Sequence, residues 1–456
     1  MRGHPLLAWW AAACLVGLVL YWPGLTAGFQ RDDFDWLDLG AQARSGGSLL
    51  KALFEPAAQG TVRFLGERAY FLALPAVFGL DPLPFRVGAF LVVFASLGLL
   101  AAILHRATGS VVLAGLAPLL WLINSSLAPL MVWSSPDCHL LCGLLLLASL
   151  WQLQRYLETG HAGYYVGLWL TFLAAFGTSE LPLIYPAVAA AYCLCLHRRI
   201  PQSVLALWLG SAVFLLVEFT LIHPGARTGL YAPHFDGSMM QTFLKHWQRA
   251  LGPGELFLLG GLGRRTAMWL VVGISAGAVL HIWRRARRRD LSAAFWLAWF
   301  VLLLAPVLPL RDHVVDYYPA VPSIGLGVLA AGAIAEAWRD PSRLLRLATA
   351  ACVGVYAISS LVAARELAVG YRNHSVMTRR FLDELRRVRD RQPGAPIVVE
   401  TFARGLYAPP IPDSAARLFG VPGVRVLPPA ECARIHREEG APVYRFDGRN
   451  LVEERE

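Results

Sequence analysis

Charge is scarce in this chain. Only 16% of its 456 residues are Asp, Glu, Lys or Arg, while 56% are hydrophobic, too few charges to coat a soluble globule of this length. That composition excludes an ordinary soluble fold and calls for surrounding lipid. Lysine is nearly absent: Lys51 and Lys245 are the only two, so the formal charge of +10 is carried by arginine. The arginines stand in short clusters between apolar runs, where the positive-inside rule puts them, and no basic face is left for nucleic acid. Cysteine lacks any pattern. Cys14, Cys193, Cys195 and Cys352 lie inside apolar runs and act there as small hydrophobes, Cys138 and Cys142 are one helical turn apart, and Cys432 stands alone. Neither a disulfide framework nor a zinc site follows.

The first apolar run, Leu6 to Trp22, has no small-residue cleavage site behind it and reads as an uncleaved anchor with its N-terminus inside. The stretch from Pro23 to about Pro84 is then an outward loop. Its one apolar piece, Tyr70 to Leu80, is too short to span and contains Pro75, so it is expected to lie on the outer membrane face. Further runs of spanning length fall at roughly 84–104, 110–132, 137–155, 163–178, 181–196, 203–222, 266–283, 291–310, 318–338 and 345–364. With the anchor they make about eleven spans of an all-α polytopic membrane protein. Threaded from an inside N-terminus, they put His105-Arg106, Arg155, Arg198-Arg199, Arg284 to Arg289 and Arg339 to Arg346 on one, cytoplasmic side. Most acids and histidines fall on the other.

The expected organisation is a membrane domain over residues 1–364, with its first outward loop at 23–83, and a small soluble domain over 365–456. The tail carries a helix from Val376 to Arg389 and a strand-like Pro396 to Glu400, which suits a small extracytoplasmic α/β unit.

Chemistry is most concentrated in Phe29-Gln30-Arg31-Asp32-Asp33-Phe34-Asp35-Trp36, just beyond the anchor. Two adjacent carboxylates beside a membrane suffer desolvation and mutual repulsion, which raises one pKa and makes it a candidate base or a ligand for a cation. A solvated acidic loop is the plainer reading of the same spacing. Asp137 and His139 open a span, and Glu180 lies between two apolar runs, where an acid is costly without a partner or a task. Arg63 and Arg68 either anchor an amphipathic helix at headgroups or grip a phosphate with a planar guanidinium. Arg311, with Asp312 and His313, is the second basic candidate. The loop 223–265, with Tyr231, His234 and His246, is long enough to act as a lid or as a plain connector.

An aspartate motif just after the first span, a long outward loop with juxtamembrane helices, many further spans and a small C-terminal unit together resemble the GT-C superfamily of glycosyltransferases. That superfamily includes protein O-mannosyltransferases and the bacterial enzymes that put aminoarabinose on lipid A. Arg63-Phe64-Leu65, running through Tyr70 to Gly79-Leu80 into Pro84-Phe85-Arg86, is similar to the family's stretch from an Arg-Pro-Leu element through a surface helix into the second span. Thr178-Ser179-Glu180-Leu181-Pro182 resembles a Ser-Lys-Glu corner without its lysine, and Asp316-Tyr317-Tyr318-Pro319 resembles a Tyr-Leu-Tyr-Leu-Pro segment.

The resemblance implies transfer of a sugar from a polyprenyl-phosphate lipid to an acceptor hydroxyl on a glycan, lipid or protein at the outer face of the cytoplasmic membrane. It makes Asp32 or Asp33 the general base of an inverting attack. Arg63, Arg68, Arg311, His313, Tyr317 and Tyr318 become donor-phosphate or substrate contacts, and Asp35, Asp137, His139 and Glu180 polar groups of the cavity. The leaving phosphate needs positive charge or a divalent ion such as magnesium or manganese; the residues do not single out a metal site. Two other classes compete: a flippase or transporter of lipid-linked saccharides, and an inactive scaffold of the same fold. A transporter should carry paired repeats and ionisable residues near mid-membrane. The sequence shows neither repeats nor broken helices in matching halves, and most acids collect on one face, with Glu218 deep in a span as an exception.

Overall fold

The computed structural model describes residues 4–44, 48–55, 62–221, 229–252, 264–394, 396–400, 413–421 and 423–453. His223 and Arg227 of the long loop lie outside the described residues. In chain order the first helices are α1 (His4–Leu25), α2 (Asp33–Arg44), α3 (Leu49–Phe54), a π-helical turn (Phe64–Ala69) and α4 (Tyr70–Phe78). Then come α5 (Leu83–Thr108), α6 (Val111–Leu122), α7 (Ala128–Val132), α8 (Cys138–Thr159), α9 (Ala162–Phe176), α10 (Tyr185–Tyr192), α11 (Gln202–Leu205) and α12 (Leu207–Leu221). The later helices are α13 (Ser238–Ala250), α14 (Arg264–Arg287), α15 (Ser292–Leu304), α16 (Ser323–Arg339) and α17 (Arg343–Arg391). The tail adds β1 (Ile397–Glu400), α18 (Asp413–Leu418), β2 (Val424–Leu427), α19 (Pro429–Glu439), β3 (Val443–Phe446) and β4 (Leu451–Glu453).

Local chemistry sets these limits. Ser110 and Ser342 cap α6 and α17 by accepting from the amides of Leu113 and Leu345. Gly109 and Gly160 close α5 and α8 in left-handed conformations. Among the described residues five helices are long and apolar enough to cross a membrane, or six if α6 and the Ser125–Val132 segment, bent by 59°, count as one span. Four shorter apolar helical segments, from Ala162, Leu181, Gln202 and Ser292, fill four of the five remaining predicted positions without reaching spanning length by themselves, and the 17-residue α16 occupies the fifth. Leu15, Leu91, Leu170, Leu209, Leu216 and Trp269 are exposed on these helices, a surface suited to lipid rather than water. The chain is a multi-pass membrane protein. Helix length by itself does not confirm eleven separate spans. Buried Asn124 ends α6, where its Oδ1 accepts from the Ser126 amide and its Nδ2 donates to the Ala250 carbonyl at 2.7 Å.

The arginine clusters do gather at one end. Arg106 reaches Glu158 at 2.6 Å, and Arg198, Arg285, Arg289 and Arg339 line a common cavity. At the opposite end α17 runs on. Its 49 residues extend about 74 Å at ~1.5 Å per residue, more than twice the ~30 Å of a hydrocarbon core. No break marks residue 364; the span and the predicted tail helix are one rod. Beyond it β1 pairs in parallel with β2 (Ile397 with Val424) and with β3 (Val398 with Val443), and β4 runs antiparallel to β3, giving the order β2-β1-β3-β4. The sheet shares a core with the first loop: Phe34, Trp36, Phe71 and Phe85 pack with Phe381, Leu385, Ile397 and Phe446.

Candidate functional site

The chain leaves α1 through a tight passage. A Cβ on Gly24 would stand 2.3 Å from the Met131 carbonyl oxygen, so glycine alone lets the backbone pass against α7. The following loop is pinned from three directions. The Gly28 amide donates to Ser375 Oγ of α17 at 2.9 Å, and the wholly buried Arg86 of α5 donates to the Ala27 and Gly28 carbonyls at 3.4 and 2.8 Å. Asp33 accepts from its own loop and from the start of the α8 region, through the Gln30 amide at 3.0 Å and the Ser135 amide at 2.7 Å. Burial pushes the Asp33 carboxyl up to about 7, although Arg86 and these two amides pull the other way. Arg31 takes a left-handed backbone, φ 52°, a conformation that costs a non-glycine residue roughly 1–2 kcal/mol. Beyond that kink Asp33 lies in the wall, and Arg31 and Asp32 line a cavity.

That cavity measures about 390 Å³. Arg31 and Asp32 line it from the first loop, Arg63 and Glu67 from the π-helical turn, and Trp133 and His139 from the region around the start of α8. Tyr231, His313, Asp316 and Tyr317 close it from the later loops, and Tyr371 from α17. The Arg31 guanidinium stands 5.0 Å from the Trp133 ring centre and 5.6 Å from that of Tyr371, within cation–π range. Tyr317 contacts both His139 and Trp133, with ring centres 5.4 and 6.1 Å apart, and Tyr231 lies 4.3 Å from His313. Such a concave pocket, aromatic in part and carrying a carboxylate and guanidinium groups, suits a polyhydroxylated ligand with an anionic end.

Arg63 is held rather than presented. Its Nε and Nη2 donate to the two Glu180 oxygens at 3.0 and 2.9 Å, and its Nη1 to Glu67 at 2.7 Å. Burial by itself would depress this guanidinium, but Glu180 and then Glu67 outweigh it and hold it firmly charged. Burial likewise raises Glu67, whereas at Glu180 the Arg63 contact overcomes burial and lowers the carboxyl. The turn itself is fixed by the Leu65 and Gly66 amides, which both donate to the Gly177 carbonyl, at 2.8 and 3.1 Å.

No family model matches the chain, and no curated protein matches it. The solved structures similar to it include two of one protein. One is ArnT from Cupriavidus metallidurans in the apo state, at 14% identity and a TM-score of 0.49, covering 96% of this chain and 92% of that one. The other is the same protein bound to undecaprenyl phosphate, at 14% identity and a TM-score of 0.48, covering 98% and 93%. At that distance the likeness decides neither family nor activity, and the site has to speak through its own residues.

The structure brings Asp32, Arg63, His139, His313 and Tyr317, all candidate site residues read from the sequence, around one cavity, with Tyr231 and Asp316 beside them. Tyr318 stands behind them, 5.9 Å from His313 and 6.3 Å from His139 between ring centres. Other candidates serve the frame. Arg68 is buried with its guanidinium 4.7 Å from the Trp36 ring, Asp35 accepts from Ser414 of the tail, Asp137 is buried behind the wall, and Glu180 grips Arg63. Arg311 lies at the surface against Asp236 and Asp312, at 3.4 and 3.5 Å. Among the described residues no group of three His, Cys, Asp or Glu is placed to hold a metal ion. Sequence reasoning passed over Arg31 and Tyr371. Adjacency to the aspartate pair was a usable signal for Arg31; nothing marked Tyr371, which arrives from a helix far along the chain.

Proposed function

We propose that the protein is a membrane glycosyltransferase that moves a sugar from a polyprenyl-phosphate lipid to an acceptor hydroxyl at the outer face of the cytoplasmic membrane. The observation that carries this reading is a single cavity lined by the Asp32 carboxylate and the Arg31 guanidinium, at the end of the bundle away from the arginine clusters. By the positive-inside rule that end is extracytoplasmic, and the small C-terminal sheet lies there with it.

Asp32 takes the proton from the acceptor hydroxyl as its oxygen attacks the anomeric carbon, with inversion. The bond to the lipid phosphate breaks on the opposite side of that carbon, and negative charge builds on the departing phosphate oxygen. Arg31 meets that charge, because Arg63 is already committed to two carboxylates. Trp133, Tyr231 and Tyr317 offer flat faces to the sugar, with His139 and His313 as hydroxyl partners. Asp33 holds the loop, and Arg63 joins the first loop to the Glu180 corner.

Asp32→Asn, assayed in membranes for transfer from polyprenyl-phosphate sugars, is expected to lower turnover by roughly 10²- to 10⁴-fold, the usual worth of a general base. Wild-type turnover in that variant overturns the mechanism.

A further inference from the structure

Two cavities that share no lining residue with the candidate site adjoin each other, the larger at the arginine-rich end of the bundle. The larger, about 830 Å³, is bordered by Arg198, Arg285, Arg288, Arg289 and Arg339. The smaller, about 300 Å³, is an apolar crevice between α14, α16 and α17, with Gly277, Ala330 and Ala348 among its walls. His281, Leu329 and Glu336 line both.

We propose that these joined cavities bind an anionic glycerophospholipid, its phosphate headgroup among the five arginines and an acyl chain in the apolar crevice. Charge complementarity carries the choice. The carboxylates on the polar wall are occupied: Asp290 by Arg285, Glu336 by His281 at 2.8 Å and Arg288 at 3.5 Å, and Asp340 by Arg284 at 3.3 Å. Arg289 and Arg339 have no carboxylate partner among the described residues, so the hollow keeps net positive charge. The Arg198 guanidinium donates to the Arg289 carbonyl and ties together the two loops that carry them. Arginines that only complement the carboxyl ends of helices would need no such hollow. Basic pockets between spans suit anionic lipid headgroups. A headgroup cavity twice the volume of the candidate site fits a bulky glycerol phosphodiester better than the lone monoester of a prenyl phosphate. The inference does not depend on the transferase reading, because no residue is shared with that site.

The test is native mass spectrometry of the purified full chain, incubated separately with phosphatidylglycerol, phosphatidylcholine or undecaprenyl phosphate. Phosphatidylglycerol should be retained over both others, and 10 mM inorganic phosphate should not displace it. Arg289→Ala with Arg339→Ala should weaken retention about thirtyfold, two surface charges' worth. Gly277→Phe, whose side chain enters open space, should block the acyl chain while leaving every arginine in place. It also serves as the independent arm if the arginine variant unfolds. Equal retention of phosphatidylcholine, preference for undecaprenyl phosphate, displacement by inorganic phosphate, or unchanged retention in Gly277→Phe would each overturn the proposal.

Discussion

Asp33 shows how a carboxylate that looks catalytic can be a fastener. Both its oxygens accept backbone amides, from Gln30 and from Ser135, so it joins the loop after α1 to the segment that opens α8. The folded protein holds its proton up to about pH 7, against an ordinary value of 3.8. The folded state therefore gains from Asp33 below pH 3.8, and that gain is lost as pH rises through 7 and the buried group ionises. In Asp33→Asn the amide nitrogen must face one of the two N–H donors, so the variant should be less stable by about 1–3 kcal/mol at low pH. It should also lose the part of the pH dependence between 4 and 7 that Asp33 supplies. Thermal unfolding in detergent across that range checks both, and an unchanged pH slope would count against a buried, proton-holding Asp33. Arg63 illustrates the same point with opposite charge: three hydrogen bonds to two acids make it a clamp. In the proposed reaction the phosphate falls instead to Arg31, whose charge lies over two aromatic rings.

At the scale of elements, the site depends on close backbone passages. Gly66 of the π-helical turn lies where a Cβ would stand 2.5 Å from Cys138 Cβ of α8, a separation that forces one element to move. Gly66→Ala should destabilise the protein by about 1–3 kcal/mol through overpacking. It should also cut activity more than stability accounts for, because Arg63 begins the same turn and would be shifted off Glu180. The comparison to make is turnover against melting temperature beside Cys138→Gly with Gly66→Ala, which removes the clashing Cβ but leaves the Cα atoms of residues 138 and 178 at 3.3 Å and should restore part of both. Equal losses in turnover for the single and double variants would argue against this coupling. The break at Asn124 works similarly: a side-chain amide replaces lost helical hydrogen bonds and turns the chain by 59°, so a run of spanning length becomes two helices.

At the scale of the molecule, the long rod α17 and the sheet beyond it complete the first loop from above. Phe34, Trp36 and Phe71 lie in one core with Phe381, Ile397 and Phe446, and Arg417 of α18 grips Asp38 of α2 at 2.6 Å. Ending the chain after residue 394 would remove Ile397 and Phe446 from that core, and Arg417 from Asp38, while leaving Phe381. Since truncating one buried aromatic costs about 3–5 kcal/mol, the shortened chain should lose activity and show faster proteolysis near α2 while the spans persist. Full activity in the shortened chain would show that the sheet is dispensable for the site.

The sequence by itself determined the membrane character, the places where most apolar helices fall and the sorting of arginine to one end. Those features follow from runs of apolar residues and clusters of charge, which act locally and can be read along the chain. It also singled out the loop of Asp32 and Asp33, which reaches the cavity proposed as the site. Only the tertiary structure decided which aspartate lines the cavity, that Arg63 is spent on Glu67 and Glu180, and that Tyr371 reaches the same cavity. A left-handed turn at Arg31 and contacts between residues hundreds of positions apart set those orientations, and neither a backbone dihedral nor a distant partner leaves a mark in local composition.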